Sequence, residues 1–141
     1  MEIADVRKGL LDAMNRARRR AAERRAETDR VSAAFDDFLA HTAVPLARQL
    51  ANALRAEHYF FNVFTPSGSV RLISERNAED YIEIALDATG EAPRVLGRSS
   101  RSRGRRFVRT EQVIGSGDPE TISEREVLSF LLKEIEPFVE K

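Results

Sequence analysis

The chain has 141 residues, of which 42% are hydrophobic and 33% charged, so it can form one domain with a buried core. Its 23 basic and 23 acidic residues cancel, whereas typical DNA-binding domains are basic as a whole. The chain has no cysteine and only two histidines, which excludes disulfides, thiolate chemistry and multi-histidine metal sites within one copy.

The amino-terminal sequence MEIADVRKGL is charged and amphipathic, and no window approaches the roughly 18 apolar residues of a membrane span. We therefore expect no signal peptide, no membrane segment and a cytoplasmic location. Arginine far outnumbers lysine, and alanine is also abundant, which is typical of a GC-rich bacterial genome.

The first third of the chain predicts a long helix with a narrow apolar seam. Apolar residues recur at spacings of three and four, but the stretch from Asn15 to Thr28 carries only alanines among arginines and glutamates. A helix that is nearly polar at its middle must extend into solvent, pair with another helix or lie on a charged partner. We expect residues 1–42 to form an arm that associates through Val6, Leu10, Val31, Phe35 and Phe38.

Pro45 indicates a kink or a new first turn, and a second helix is predicted over Val44–Glu57. The period then changes to two, and short polar links predict an antiparallel meander. The predicted strands are His58–Thr65, Val70–Ser74, Asp80–Asp87, Arg94–Gly97 and Arg106–Ile114.

The first predicted strand is rich in aromatic residues. Alternation places Tyr59 and Phe61 on one face and Phe60 and Phe64 on the other, so at least one pair belongs to the core. The other pair is either a base-stacking surface or further core, and we favour core.

A C-terminal helix is indicated by a capping box formed by Ser123 and Glu126, flanked by the hydrophobic staple pair Ile122 and Val127. Its predicted apolar face comprises Val127, Leu128, Leu131, Leu132, Ile135 and Val139. The fold class is therefore α+β, with the arm followed by a compact body over residues 43–141.

The stretch Arg94–Arg109 (RVLGRSSRSRGRRFVR) contains seven arginines and no acidic residue, and its Ser/Arg/Gly centre predicts an exposed hairpin loop. Three interpretations remain open: a solvated loop, contacts with nucleic-acid phosphates, or pairing with acidic residues of a protein, including a second copy. The candidate residues are Arg98, Arg101, Arg103, Arg105, Arg106 and Arg109.

No phosphate-binding loop or nucleophile elbow is present, and Gly115–Gly117 is interpreted as the loop that enters the last helix. His41 and His58 lack the neighbouring groups that a general base requires, so we interpret both as structural. We expect no catalytic residue, metal, cofactor or small-molecule substrate. The leading hypothesis is a non-catalytic module that self-associates or docks on a partner through its N-terminal helix; the alternative is a nucleic-acid-binding accessory protein that uses the arginine-rich hairpin.

Overall fold

The computed structural model describes residues 1–90 and 92–140, and it confirms the predicted α+β class. A long N-terminal helix is followed by a shorter helix, a five-stranded antiparallel sheet and a C-terminal helix. The contacts divide the chain into an N-terminal unit, Met1–Arg30, and a C-terminal unit, Val31–Lys141.

Helix α1 spans Ile3–Phe38, and a π-helical turn over Leu39–Ala43 joins it to helix α2, Val44–Ala56. Pro45 has no backbone N–H and its ring would clash with the carbonyl of the residue four positions earlier in a regular α-helix. The wider turn avoids this conflict, and the N–H of Val44 bonds to the carbonyl of Leu39. Pro45 thus lies in the first turn of a new helix, as the sequence predicts.

Helix α2 ends with His58 in the left-handed region at φ 67°, and the N–H of Tyr59 bonds to the carbonyl of Leu54 at 2.9 Å. This is a helix C-cap, so the first strand begins at Phe61 rather than at His58 as predicted. The predicted start of the first strand was wrong because the aromatic run that begins at Tyr59 overlaps the helix cap.

The sheet is a meander with strand order β1–β2–β3–β4–β5, and all neighbouring strands are antiparallel. Its strands are β1 Phe61–Phe64, β2 Ser69–Ser74, β3 Tyr81–Asp87, β4 Arg94–Arg103 and β5 Arg106–Val113.

The C-terminal helix α3 spans Glu124–Val139, and both hydrogen bonds of the predicted capping box are present. Phe130 packs so closely on β4 that a Cβ atom at Gly97 would lie 2.3 Å from its ring. The predicted apolar face of α3 was wrong at two positions. It omits Phe130, which is buried, and it includes Leu132, which is exposed.

One face of the sheet, here called the helix face, packs on α2 and α3. It contributes Phe61, Leu72, Ile82, Ile84 and Val95 to the core, together with helix residues such as Phe35, Leu54 and Leu131. The strand register places Arg71, Glu83, Arg98 and Glu111 in one row on the opposite face, which we call the ladder face.

Candidate interaction surfaces

The N-terminal unit carries an exposed apolar seam. Val6 and Leu10 are each 59% exposed, and Ile3 and Met14 are exposed on the same side of the helix. None of residues 1–30 is buried, and only Ala21 and Thr28 reach intermediate burial. The unit therefore has no core of its own, and its apolar side chains are available to a partner.

The other three predicted association residues lie elsewhere. Val31, Phe35 and Phe38 are buried in the C-terminal unit, where the rings of Phe35 and Phe38 stack with their centroids 5.9 Å apart. Residues 31–42 consequently belong to this unit rather than to the predicted arm. The chain itself already covers Val31, Phe35 and Phe38, so of the five predicted association residues only Val6 and Leu10 are exposed.

The arginine-rich stretch forms a β-hairpin, as predicted, but its strands are longer and its loop is shorter than the sequence indicates. Strand β4 continues to Arg103, and only Gly104 and Arg105 form the turn before β5. Gly104 adopts φ 64°, as the first central position of a type II′ turn requires. The charges are therefore held on strands rather than on a loop.

Alternation along these strands divides the candidate arginines between the two faces. Arg101, Arg103 and Arg106 lie on the helix face, and Arg98 and Arg109 lie on the ladder face. Arg105 lies in the turn. The hairpin end formed by Arg101–Arg106 keeps four arginines close together, and three of them are exposed.

Arg98 is fully engaged in an ion-pair row that crosses four strands. Its Nε lies 2.8 Å from Glu111 Oε2, and its terminal nitrogen lies 3.3 Å from Glu83 Oε1. The other oxygen of Glu83 accepts a hydrogen bond from Arg71. The row Arg71–Glu83–Arg98–Glu111 thus alternates in charge, and we call it the charge ladder.

The hydrogen bond to Glu111 is the main cause that raises the pKa of Arg98; partial burial opposes it and the bond to Glu83 reinforces it. Glu83 is buried despite its charge, because both of its oxygens have arginine partners. Arg71 also lies over the ring of Tyr81, 4.7 Å from its centroid. Arg98 is therefore a structural cation rather than a free binding group.

The remaining arginines have looser surroundings. Arg109, on the ladder face, lies over the exposed ring of Phe107, 5.6 Å from its centroid. Arg101 and Arg103 line an open depression with Pro137 and Glu140 at the end of α3. These contacts leave the guanidinium groups of the hairpin end accessible to an acidic partner.

Of the two aromatic pairs in the first predicted strand, one faces the core and the other is exposed. Phe61 is buried against Phe138, whose ring it meets edge-on at 5.7 Å, and Tyr59 is partly buried. Phe60 and Phe64 are exposed, contrary to the preference for core, and Arg55 lies over Phe60 at 5.2 Å.

Sequence reasoning missed two buried carboxylates. They are Glu83 on β3 and Glu134 on α3. Glu134 is buried on the helix face, where Ser99, Thr110 and Gln112 lie within 3.5 Å of its oxygens. The signal that could have found it is its helical spacing of three from Leu131, which places it on the buried side.

The described residues offer no metal site, since no group of three or more histidine, aspartate or glutamate side chains is suitably placed. The imidazole of His41 contacts the backbone one turn earlier, where its Nδ1 lies 2.9 Å from the carbonyl oxygen of Asp37. Within the described chain, no helix has the length and hydropathy that a bilayer crossing requires.

Comparisons with known proteins give no relative: the chain matches no family model, no curated protein and no solved structure. Its function must therefore be argued from the two surfaces described above, the apolar seam and the arginine-rich hairpin.

Proposed function

We propose that this protein is a non-catalytic interaction module that self-associates or docks on a partner through the helix of its N-terminal unit. The observation that carries this proposal is the exposed seam of Ile3, Val6, Leu10 and Met14 on a unit without a core. Isolated helices gain little stability from intrinsic propensity in water, so covering this seam would stabilise the helix.

The charges beside the seam restrict how a partner binds. Arg16–Arg25 contains six arginines and a single acidic residue, Glu23. Two copies aligned in parallel would bring these arginines side by side, which is unfavourable. An antiparallel second copy, or a partner helix with acidic residues beyond its apolar seam, avoids this repulsion.

The test is the molar mass of the full chain across a concentration series, measured by light scattering for the wild type and for Val6→Glu/Leu10→Glu. We expect the double variant to lose the association, or the capture of its purified partner, while its denaturation profile stays that of the wild type. Lys8→Glu is the matched control, because Lys8 lies on the opposite side of the helix from the seam. Equal association of the double variant and the wild type would contradict the proposal.

A second candidate function is nucleic-acid binding, favoured by the four arginines of the hairpin end. Replacing Arg101, Arg103, Arg105 and Arg106 by serine should leave stability nearly unchanged, since exposed charges contribute little. If the hairpin binds phosphates, these changes will weaken binding in a gel-shift series and reduce its salt dependence. An unchanged salt slope in the folded quadruple variant would reject this function.

A further inference from the structure

Strand β5 ends the sheet and is eight residues long, twice the length of β1 at the other edge. A terminal strand presents unpaired backbone groups that can bond to another strand. Phe107 and Val113 are exposed on its ladder face, and Val108 is exposed on its helix face. The strand contains no proline, which natural edge strands often use to prevent pairing.

The backbone groups of β5 that point away from β4 can be assigned. The N–H of Ile114 bonds to the carbonyl of Val95 at 3.1 Å, so the polar groups of Ile114 point toward β4. Because this direction alternates along an antiparallel strand, the groups of Thr110 also point toward β4. The outward groups belong to Phe107, Arg109, Glu111 and Val113.

We propose that β5 pairs antiparallel with β5 of a second copy about a two-fold axis that passes beside Thr110. This register places Arg109 opposite Glu111 and Phe107 opposite Val113, and each pairing occurs twice by symmetry. All four residues have outward backbone groups, so each opposed pair exchanges two hydrogen bonds. Charge, apolar character and backbone polarity are therefore complementary in the same register.

The charge ladder provides a second argument for this register. The row Arg71–Glu83–Arg98–Glu111 ends at the sheet edge with Glu111, whose side chain is 57% exposed. In the dimer, Arg109 of the second copy lies next to Glu111 and continues the alternation by one cation. The ladder would thus extend across the interface in both directions.

Neighbouring registers are unfavourable. A shift of two residues keeps every side chain on its face, but it places Arg109 opposite Arg109 or Glu111 opposite Glu111. Like charges directly opposite each other destabilise a strand pair. A shift of one residue places the ladder face of one copy on the same side as the helix face of the other. It also sets outward-pointing backbone groups of one strand opposite inward-pointing groups of the other, so they cannot bond. The second copy is therefore matched to β5 in one register.

A cysteine pair tests the register directly in the full chain, which has no native cysteine. Thr110 faces itself across the axis as a non-hydrogen-bonded pair, with the Cα atoms about 4.5 Å apart, within disulfide reach. Val108 lies on the same face, but its two copies are about 14 Å apart along the strands. Mild oxidation should therefore convert Thr110→Cys, and not Val108→Cys, into a covalent dimer. Equal yields from the two variants would overturn the proposal.

Charge reversal tests the interface without a new bond. Arg109→Glu alone and Glu111→Arg alone each place like charges opposite each other, which should raise the dissociation constant about tenfold or more. An equimolar mixture of the two variants restores both ion pairs, so it should form the mixed dimer. Arg48→Glu, on the exposed side of α2, is the matched control and should associate like the wild type. Failure of the mixture to associate, with both variants folded, would reject the pairing.

This surface lies within the C-terminal unit, so its test can be separated from that of the seam. Both experiments are repeated in the Val6→Glu/Leu10→Glu background, where seam-mediated association is removed. Persistence of the Thr110→Cys cross-link in that background supports β5 pairing whatever the outcome for the helix. Loss of the cross-link there would show that β5 does not associate independently, and would overturn the proposal.

Discussion

Adjacent leucines on α3 provide a matched test of how the C-terminal unit is built. Leu131 is 2% exposed and belongs to the core, whereas Leu132 is 46% exposed. Leu131→Ala removes about three buried carbon groups, worth roughly 2–3 kcal/mol in transfer free energy, and leaves a cavity in addition. The expected loss in the free energy of unfolding is about 2–5 kcal/mol.

Leu132→Ala should change the free energy of unfolding by no more than about 0.5 kcal/mol, because the side chain is largely in solvent. Alanine is also the better helix former, which offsets part of the lost contact. The two variants are identical in composition and differ only in which leucine is truncated. Any difference between them therefore reports the side of α3 that faces the sheet.

The assay is urea denaturation followed by far-ultraviolet circular dichroism, at one low protein concentration because association changes apparent stability. With a slope of about 1–3 kcal/mol per molar urea, Leu131→Ala should lower the midpoint by about 1 M or more. The midpoint of Leu132→Ala should stay close to that of the wild type. Equal shifts for both variants would refute the assigned orientation of α3.

Three further predictions concern single contacts. Gly97→Ala should lower the melting temperature, because its Cβ would meet the Phe130 ring at 2.3 Å, and Phe130→Leu in the same chain should recover part of the loss. Ser123→Ala should cost about 1 kcal/mol in urea denaturation through the lost cap of α3. Hydrogen bonds from the Thr89 hydroxyl and N–H lower the pKa of Asp87, so Thr89→Val should raise that pKa in a carboxyl NMR titration. These bonds favour the charged form, so their stabilisation is present at neutral pH and is lost as the pH falls through the lowered pKa.

The elements that the sequence predicts well are those with local signals. The Ser123 cap needs only residues within one helical turn, and the alternation of Ile82 and Ile84 reports one buried sheet face. Helical spacing of three from Val127 places Phe130 on the buried side, but the room for its ring depends on a distant glycine. The absence of a side chain at Gly97 creates the space for the ring, and helical periodicity cannot reveal this.

The arginine-rich stretch shows how tertiary pairing overrides composition. Serine, arginine and glycine together favour a loop, yet residues from Arg94 to Ser100 pair with β3 in continuous register. The ion pairs of Arg98 with Glu83 and Glu111 also join residues more than ten positions apart in the sequence. Net charge in a sequence window therefore overstated the positive charge that remains available on the surface.

The seam of α1 illustrates a similar limit. Val6, Leu10, Val31 and Phe35 share one helical periodicity, which predicts burial on one side but does not identify what covers each residue. In the structure the chain itself covers Val31 and Phe35, whereas Val6 and Leu10 remain exposed. Periodicity alone could not place the boundary between the units, because the helix continues through Arg30 without interruption.

The two proposed surfaces have different consequences for assembly. A single isologous surface closes at a dimer, because both copies use the same patch. If the seam also pairs two copies, each chain has two separate isologous surfaces. Each copy can then bind one neighbour through β5 and another through the seam, which gives assemblies larger than a dimer. If the seam instead binds another protein, the β5 dimer presents two such helices, and the second binding event gains from effective concentration. In either case the proposed strand pairing would set how many N-terminal helices one assembly presents, and therefore how many partners it could hold together.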